Sequence, residues 1–201
     1  MSDVTTGVEP GFAPRGEPRL TVVSGPSGVG KSSVIDELRD KAPEIYFSVS
    51  VTTRPSRPGE VDGVHYHFVD VDEFQRMVAA GEMLEYAHYA GNYYGTPREP
   101  VERALAAGRP AVLEIELQGA RQVRASMPEA RLVMLLPPSW EALVDRLVGR
   151  RTEDEEVVRR RLDTAKRELD ARTEFDAAVV NADVRSAADE LVRLIVGPGA
   201  S

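Results

Sequence analysis

A chain of 201 residues, 42% hydrophobic and 29% charged, has the size and balance of one soluble α/β domain with room for a small inserted lobe. Its formal net charge of −8 argues against nucleic acid held on a broad basic face, and the lack of cysteine excludes disulfides and thiolate metal sites. No apolar run reaches membrane-spanning length and residues 1–18 lack the basic start and apolar core of a secretion signal, so no membrane partner and a cytoplasmic location are expected.

Met1 to Pro18 is rich in Gly, Pro and polar residues and reads as a flexible tail, with the domain proper over 19–197. Leu20-Thr-Val-Val23 is a short apolar, β-branched run and predicts a buried strand. It leads into Gly25-Pro26-Ser27-Gly28-Val29-Gly30-Lys31-Ser32, which fits the phosphate-cradling pattern G-x-x-x-x-G-K-[ST]. From Ser32 and Ser33 onward, Val34, Ile35 and Leu38 follow at helical spacing, with Pro43 as a stop. Strand, glycine-rich turn and helix is the order the chemistry needs. Glycines let backbone N–H groups turn inward around phosphate oxygens, and the helix N-terminus adds its positive dipole end. Lys31 is expected to reach the outer phosphates of a nucleoside triphosphate, and the Ser32 hydroxyl to ligate Mg2+. Alone, the motif allows ATP or GTP.

Ile45 to Val51 predicts a strand, and the prolines and glycine of Thr52 to Glu60 break regular structure. Val64 to Val69 alternates as a strand does, and Asp72 with Gln75 suggests a capping box for a helix running to Ala80 and closed by Gly81. Met83 to Tyr89 and Asn92 to Tyr94 read as strands about a turn at Ala90-Gly91, and Arg98 to Ala107 as a helix ended by Gly108. Strands at 111–115, 132–136 and 177–180 then alternate with helices at 118–126, 140–147 and 153–172, before a closing helix marked by Ala188, Leu191, Val192 and Ile195. Buried strands alternating with helices predict a parallel sheet covered on both faces. The polar, strand-rich stretch near 50–96 interrupts that rhythm as an inserted lobe.

Arg54 and Arg57 on a stiffened loop offer planar forks to a phosphate or carboxylate, and Tyr66 and Tyr94 can each donate to the same anion. On local grounds a solvated loop with two free arginines is an equal alternative. Glu85 on a strand would by itself be a solvent-facing charge. Glu114 and Glu116 fall at the C-terminal end of a strand, near the ligand crevice of a parallel sheet, where they could orient a metal-bound water or contact an acceptor. The arginines from Arg146 to Arg161 read alone as a solvated helix face. His65, His67 and His88 do not make a metal site, because no third ligand accompanies the first two.

The run Phe47-Ser-Val-Ser50-Val-Thr-Thr-Arg54 with Arg57, Gly59-Glu60 and Gly63-x-x-Tyr66-x-Phe68 resembles the acceptor-nucleotide segment of guanylate kinases. So do Leu84-Glu85 and Gly91-Asn-Tyr-Tyr94-Gly-Thr96, and the similarity extends from Arg19 to Ile195. The resemblance implies a P-loop α/β core (19–49, 97–138 and 173–197), a GMP-binding lobe (about 50–96) and a helical lid (about 139–172). It implies transfer of the γ-phosphoryl group of MgATP to GMP, and to dGMP, in purine nucleotide metabolism. Ser50, Arg54, Arg57, Tyr66 and Tyr94 would hold the GMP phosphate. Glu85, Thr96 and Ser50 would contact guanine, and Glu114 the acceptor. Arg146, Arg150 and Arg161 match lid arginines, and Asn181 matches the adenine-side loop. Two departures stand out: the family usually has aspartates at 114 and 116, and its proline directly before the second arginine. A sugar-phosphate kinase of the same fold and a non-catalytic phosphopeptide-binding domain are the alternative readings.

Overall fold

The computed structural model describes residues 19–89, 91–148 and 155–197, and the expected tail over 1–18 lies outside them. The first half of the chain runs β1 (Leu20–Ser24), α1 (Lys31–Lys41), β2 (Tyr46–Phe47), β3 (Val51–Thr52), β4 (His67–Phe68), α2 (Val71–Ala79), β5 (Met83–Tyr89), β6 (Asn92–Pro97) and α3 (Arg98–Ala106). The second runs β7 (Ala111–Glu114), α4 (Leu117–Ser126), β8 (Arg131–Leu136), α5 (Trp140–Val148), α6 (Glu155–Asp170), a 3-10 turn at Ala171–Glu174, β9 (Ala177–Val180) and α7 (Val184–Val196).

Five strands form a parallel sheet in the order β2-β7-β1-β8-β9. β1 lies at its centre, with Val22 in register with Leu113 on one side and Leu132 on the other. All five β1 residues are buried, as expected of an apolar run covered on both faces. Alternation divides them between two cores. Val23 packs with Val34, Leu38, Leu135 and Leu191, whereas Leu20 and Val22 pack with Val101, Val123 and Leu132.

A second sheet has the order β4-β3-β6-β5, with β3 parallel to β4 and both β6 pairings antiparallel. Its small core joins Val51, Phe74 and Met83, and Phe74 stacks on Tyr93 at 5.4 Å. Gln122 of α4 clips this sheet to the first layer: its side-chain amide accepts from Tyr86 N at 3.1 Å and donates to Tyr86 O at 2.8 Å. The clip covers backbone groups that the β5 edge would otherwise expose.

Three expectations change here. The single strand over 45–51 divides, because Ser48 N still bonds Val112 O in the first sheet whereas Ser50 O accepts from His67 N in the second. The chain changes partners at Ser48-Val49-Ser50. The strand over 64–69 shortens to β4, since Val64 and His65 donate back to Val61 O in a turn. The capping residue of α2 is Asp70, whose carboxylate accepts from Glu73 N at 2.8 Å, and Asp72 lies inside the first turn. Val69 N still donates to Thr52 O, so the extended chain ends just before Asp70.

Asp70→Ala removes the cap and is expected to destabilise the protein by about 1 kcal/mol. Asp72→Ala is expected to cost less. Chemical denaturation of both variants checks the order.

Candidate active site

The turn between β1 and α1 is braced from the far end of the chain. Gly30 caps α1 in the left-handed region, at φ 95°, and a β-carbon there would lie 2.7 Å from Asn181 Nδ2. Buried Asn181 donates through Nδ2 to Val29 O at 2.8 Å. Arg146 of α5 donates to Val29 O at 3.1 Å and to Asn181 O at 3.4 Å, and Arg161 of α6 to Ser27 Oγ at 3.4 Å. Packing thus brings Arg146 and Arg161 against the turn, although neither lies near it in sequence. Arg150 lies outside the described residues.

Lys31 Nζ donates to Gly25 O at 2.6 Å and lies 3.3 Å from Glu116 Oε1. Ser32 Oγ donates to Glu114 Oε1 at 2.9 Å. β7 ends at Glu114, and Glu116 is the residue before α4, so the two acids are divided between a strand end and a helix start. Burial pushes the Glu114 carboxyl above its usual range, and the Ser32 bond opposes that shift. Ser32 and Glu114 form a hard oxygen donor set, which suits Mg2+.

A cavity of about 610 Å³ joins this region to the second sheet. Of the residues singled out from sequence, Lys31, Ser32, Ser50, Tyr66, Glu85, Tyr94, Thr96, Glu114 and Glu116 line it. Opposite the turn, Glu85 and Thr96 are cross-strand partners in β5 and β6. The Thr96 hydroxyl donates to Glu85 Oε1 at 2.7 Å. Glu85 is only 6% exposed, and burial raises its pKa against that bond. Gly119 of α4 leaves it room, since a β-carbon there would fall 2.7 Å from Glu85 Oε2. Arg54 stands beside the cavity, its guanidinium 5.3 Å from the Tyr66 ring centre, with Arg57 on the same loop. The histidines serve locally: His65 Nδ1 accepts from Val61 N, and His88 packs on Tyr93.

Sequence reasoning missed Gly119 and Glu168. Glu168 of α6 is 8% exposed, accepts from the Ser27 amide and lies beside Glu116 and Lys31. Its Oε2 has no hydrogen-bond partner among the described residues. The available signal was its position three residues after Ala165 and beside Leu169, on the apolar face marked by Leu162, Ala165 and Leu169.

A phosphate-cradling turn facing, across one cavity, a buried carboxylate–hydroxyl pair defines a P-loop phosphotransferase with a separate acceptor site. Residues 17–197 match the guanylate kinase family model. A guanylate kinase of Thermobifida fusca is 64% identical over 180 residues, covering 90% of this chain and 92% of that protein. One of Streptomyces coelicolor is 57% identical over 194 residues, covering 96% and 98%. The crystal structure of guanylate kinase from Anaplasma phagocytophilum superposes with a TM-score of 0.69 at 32% identity, covering 89% of this chain and 84% of that one. The chain belongs to the guanylate kinase family.

Burial and the Glu116 carboxylate push Glu168 up from 4.5 to about 7. Between those values the native state keeps a proton that the unfolded chain has released, so stability falls as pH rises and the loss is complete above about pH 7. Glu168→Gln should therefore raise stability at pH 8 by on the order of 2 kcal/mol, with the gain gone near pH 4.5. Thermal melts across pH check this.

Proposed function

We infer that this chain transfers the γ-phosphoryl group of ATP to GMP, giving ADP and GDP. The observation that carries the reading is the buried Glu85–Thr96 pair lining the same cavity as Lys31 and Ser32. Guanine presents an N1–H and a 2-amino group as adjacent donors, and a carboxylate is the matching acceptor. Adenine has no such donors and would leave buried Glu85 unpaired. Sites of this kind can discriminate by roughly 10⁴–10⁵. A sugar-phosphate kinase has no need of Glu85 and the Asn92-to-Thr96 segment together, and a phosphopeptide module has no need of Lys31 and Ser32.

The residues divide the work by position. The backbone N–H groups of the turn from Gly25 to Lys31, where Pro26 shapes the turn but has no N–H, hold the donor phosphates with Lys31 Nζ, and Ser33 and Asn181 complete that side. Ser50, Arg54, Arg57, Tyr66 and Tyr94 hold the acceptor phosphate. Ser32 and Glu114 would supply oxygen donors to Mg2+, with Glu116 acting through water. When bound, the ion supplies charge neutralisation at the donor phosphates. The acceptor phosphate is already anionic near neutral pH, so no general base is required of the chain. Lys31 and the arginines at 54, 146, 150 and 161 neutralise the charge that accumulates as two polyanions meet. The second sheet, within about 50–96, is the GMP lobe, and about 139–172 the lid over a core at 19–49, 97–138 and 173–197. Their closure excludes water and suppresses ATP hydrolysis. This activity, on dGMP as well, belongs to purine nucleotide metabolism in the cytoplasm.

A coupled assay of ADP release across GMP, dGMP, AMP and ribose phosphate tests the reading, which fails if GMP gives no turnover above background. Glu85→Ala is expected to lower kcat/KM for GMP by roughly 10²-fold or more while leaving ATP binding intact. Equal loss for both nucleotides would remove Glu85 from base recognition. Gly119→Ala, which pushes Glu85 from its place, is expected to raise the GMP KM about 10-fold in the same assay, with the ATP KM unchanged.

A further inference from the structure

Glu60 holds the loop that carries both arginines assigned to the acceptor phosphate. Its carboxylate accepts from Arg54 NH1 at 3.0 Å, from Arg54 NH2 at 2.8 Å and from the Arg57 backbone amide at 2.7 Å. Its own amide donates to Arg57 O at 3.0 Å, which closes the turn between them. Arg54 NH1 also donates to Pro55 O at 2.7 Å, and Tyr94 hydrogen-bonds Arg54 from β6. The guanidinium stands over the rings of Tyr66, at 5.3 Å, and Phe68, at 5.9 Å.

These contacts fix the plane and direction of a side chain that would otherwise sample many rotamers. Glu60 takes the NH1–NH2 end of the guanidinium. A planar guanidinium has a second fork, formed by Nε and NH2, along its side. A phosphate can therefore meet Arg54 with the Glu60 pair intact. Displacement of Glu60 by phosphate is the competing possibility. The local geometry opposes it, since swinging the carboxylate away would also release the Arg57 amide and loosen the turn. Arg54 and the Arg57 amide hold the Glu60 carboxyl down at about 2, so it stays ionised throughout the neutral range.

We propose that Glu60 is a positioning residue for the acceptor phosphate, acting through Arg54 and the Arg57 turn. The proposal rests on the reading of GMP as acceptor, with Arg54 on its phosphate. It separates phosphate anchoring, which depends on Glu60, from base reading, which depends on Glu85.

Glu60→Gln keeps the shape of the side chain but removes its charge and one acceptor oxygen. The expected result is a GMP KM raised about 10-fold, with the ATP KM and the melting temperature little changed. The inhibition constant of guanosine, which has no phosphate, should not move. In an Arg54→Ala background, Glu60→Gln should add at most about twofold, because the amide oxygen it keeps can still accept from the Arg57 amide and the rest of its effect passes through the missing side chain. An unchanged GMP KM overturns the proposal. So does a lowered one, which would make Glu60 a competitor of the phosphate. Equal weakening of guanosine and GMP, or full additivity with Arg54→Ala, also overturns it. Failure of the acceptor assignment is separately visible: the wild-type protein would then use a different nucleoside monophosphate, and the same comparison is read on that substrate's KM.

Discussion

Two polyanions share one cavity only where fixed positive charge surrounds them. In this fold Lys31, Arg54 and Arg146 are themselves held by protein acceptors. Lys31 is bound by Gly25 O and Glu116, Arg54 by Glu60, and Arg146 by the carbonyls of Val29 and Asn181. Long cationic side chains lose up to about 2 kcal/mol of rotamer entropy when fixed. Here much of that ordering accompanies folding instead of binding. The same bonds tie elements together, because Arg146 and Asn181 link α5 and the segment after β9 to the turn before α1.

Acidic residues carry the opposing cost. Glu85, Glu114 and Glu168 are all pushed above their usual range with burial as the first cause. A core chosen for stability alone would not keep two such groups on one cavity and a third against Glu116 and Lys31 in its wall. Glu85 illustrates the exchange. Its burial disfavours the charged form, and the Thr96 hydroxyl offsets that only in part. A ligand with two adjacent donors would supply the remainder, and recognition would then draw on energy the fold withholds from itself.

Much of the fold was legible because its signals are local. β1, the glycine-rich turn and α1 announce themselves by a run of neighbours, and the alternation that follows implies a covered parallel sheet. The division between β2 and β3 was hidden, since Phe47, Val49 and Val51 continue one alternation while the pairing partner changes from Val112 to His67. Side-chain pattern reports which face is buried and not which strand lies alongside. The capping box read from Asp72 and Gln75 was likewise displaced, because the extended chain ends two residues earlier and Asp70 takes the cap. At the site, Lys31 and Ser32 followed from the motif, and Glu85 and Thr96 from a family resemblance. Glu168 was concealed among the charges of α6. Contact of Arg146 and Arg161 with the turn required α5 and α6 to pack across it.

The division into two sheets also separates two ranges of sequence distance. All pairings of the second sheet fall within residues 51–97, whereas β1 must find β7 at 111–114 and β8 at 131–136. Closing long loops is the slower step in assembling parallel sheets. During synthesis the complete second sheet therefore emerges from the ribosome before either neighbour of β1 does. The central strand, buried on every residue in the finished protein, is the one that waits longest for its partners.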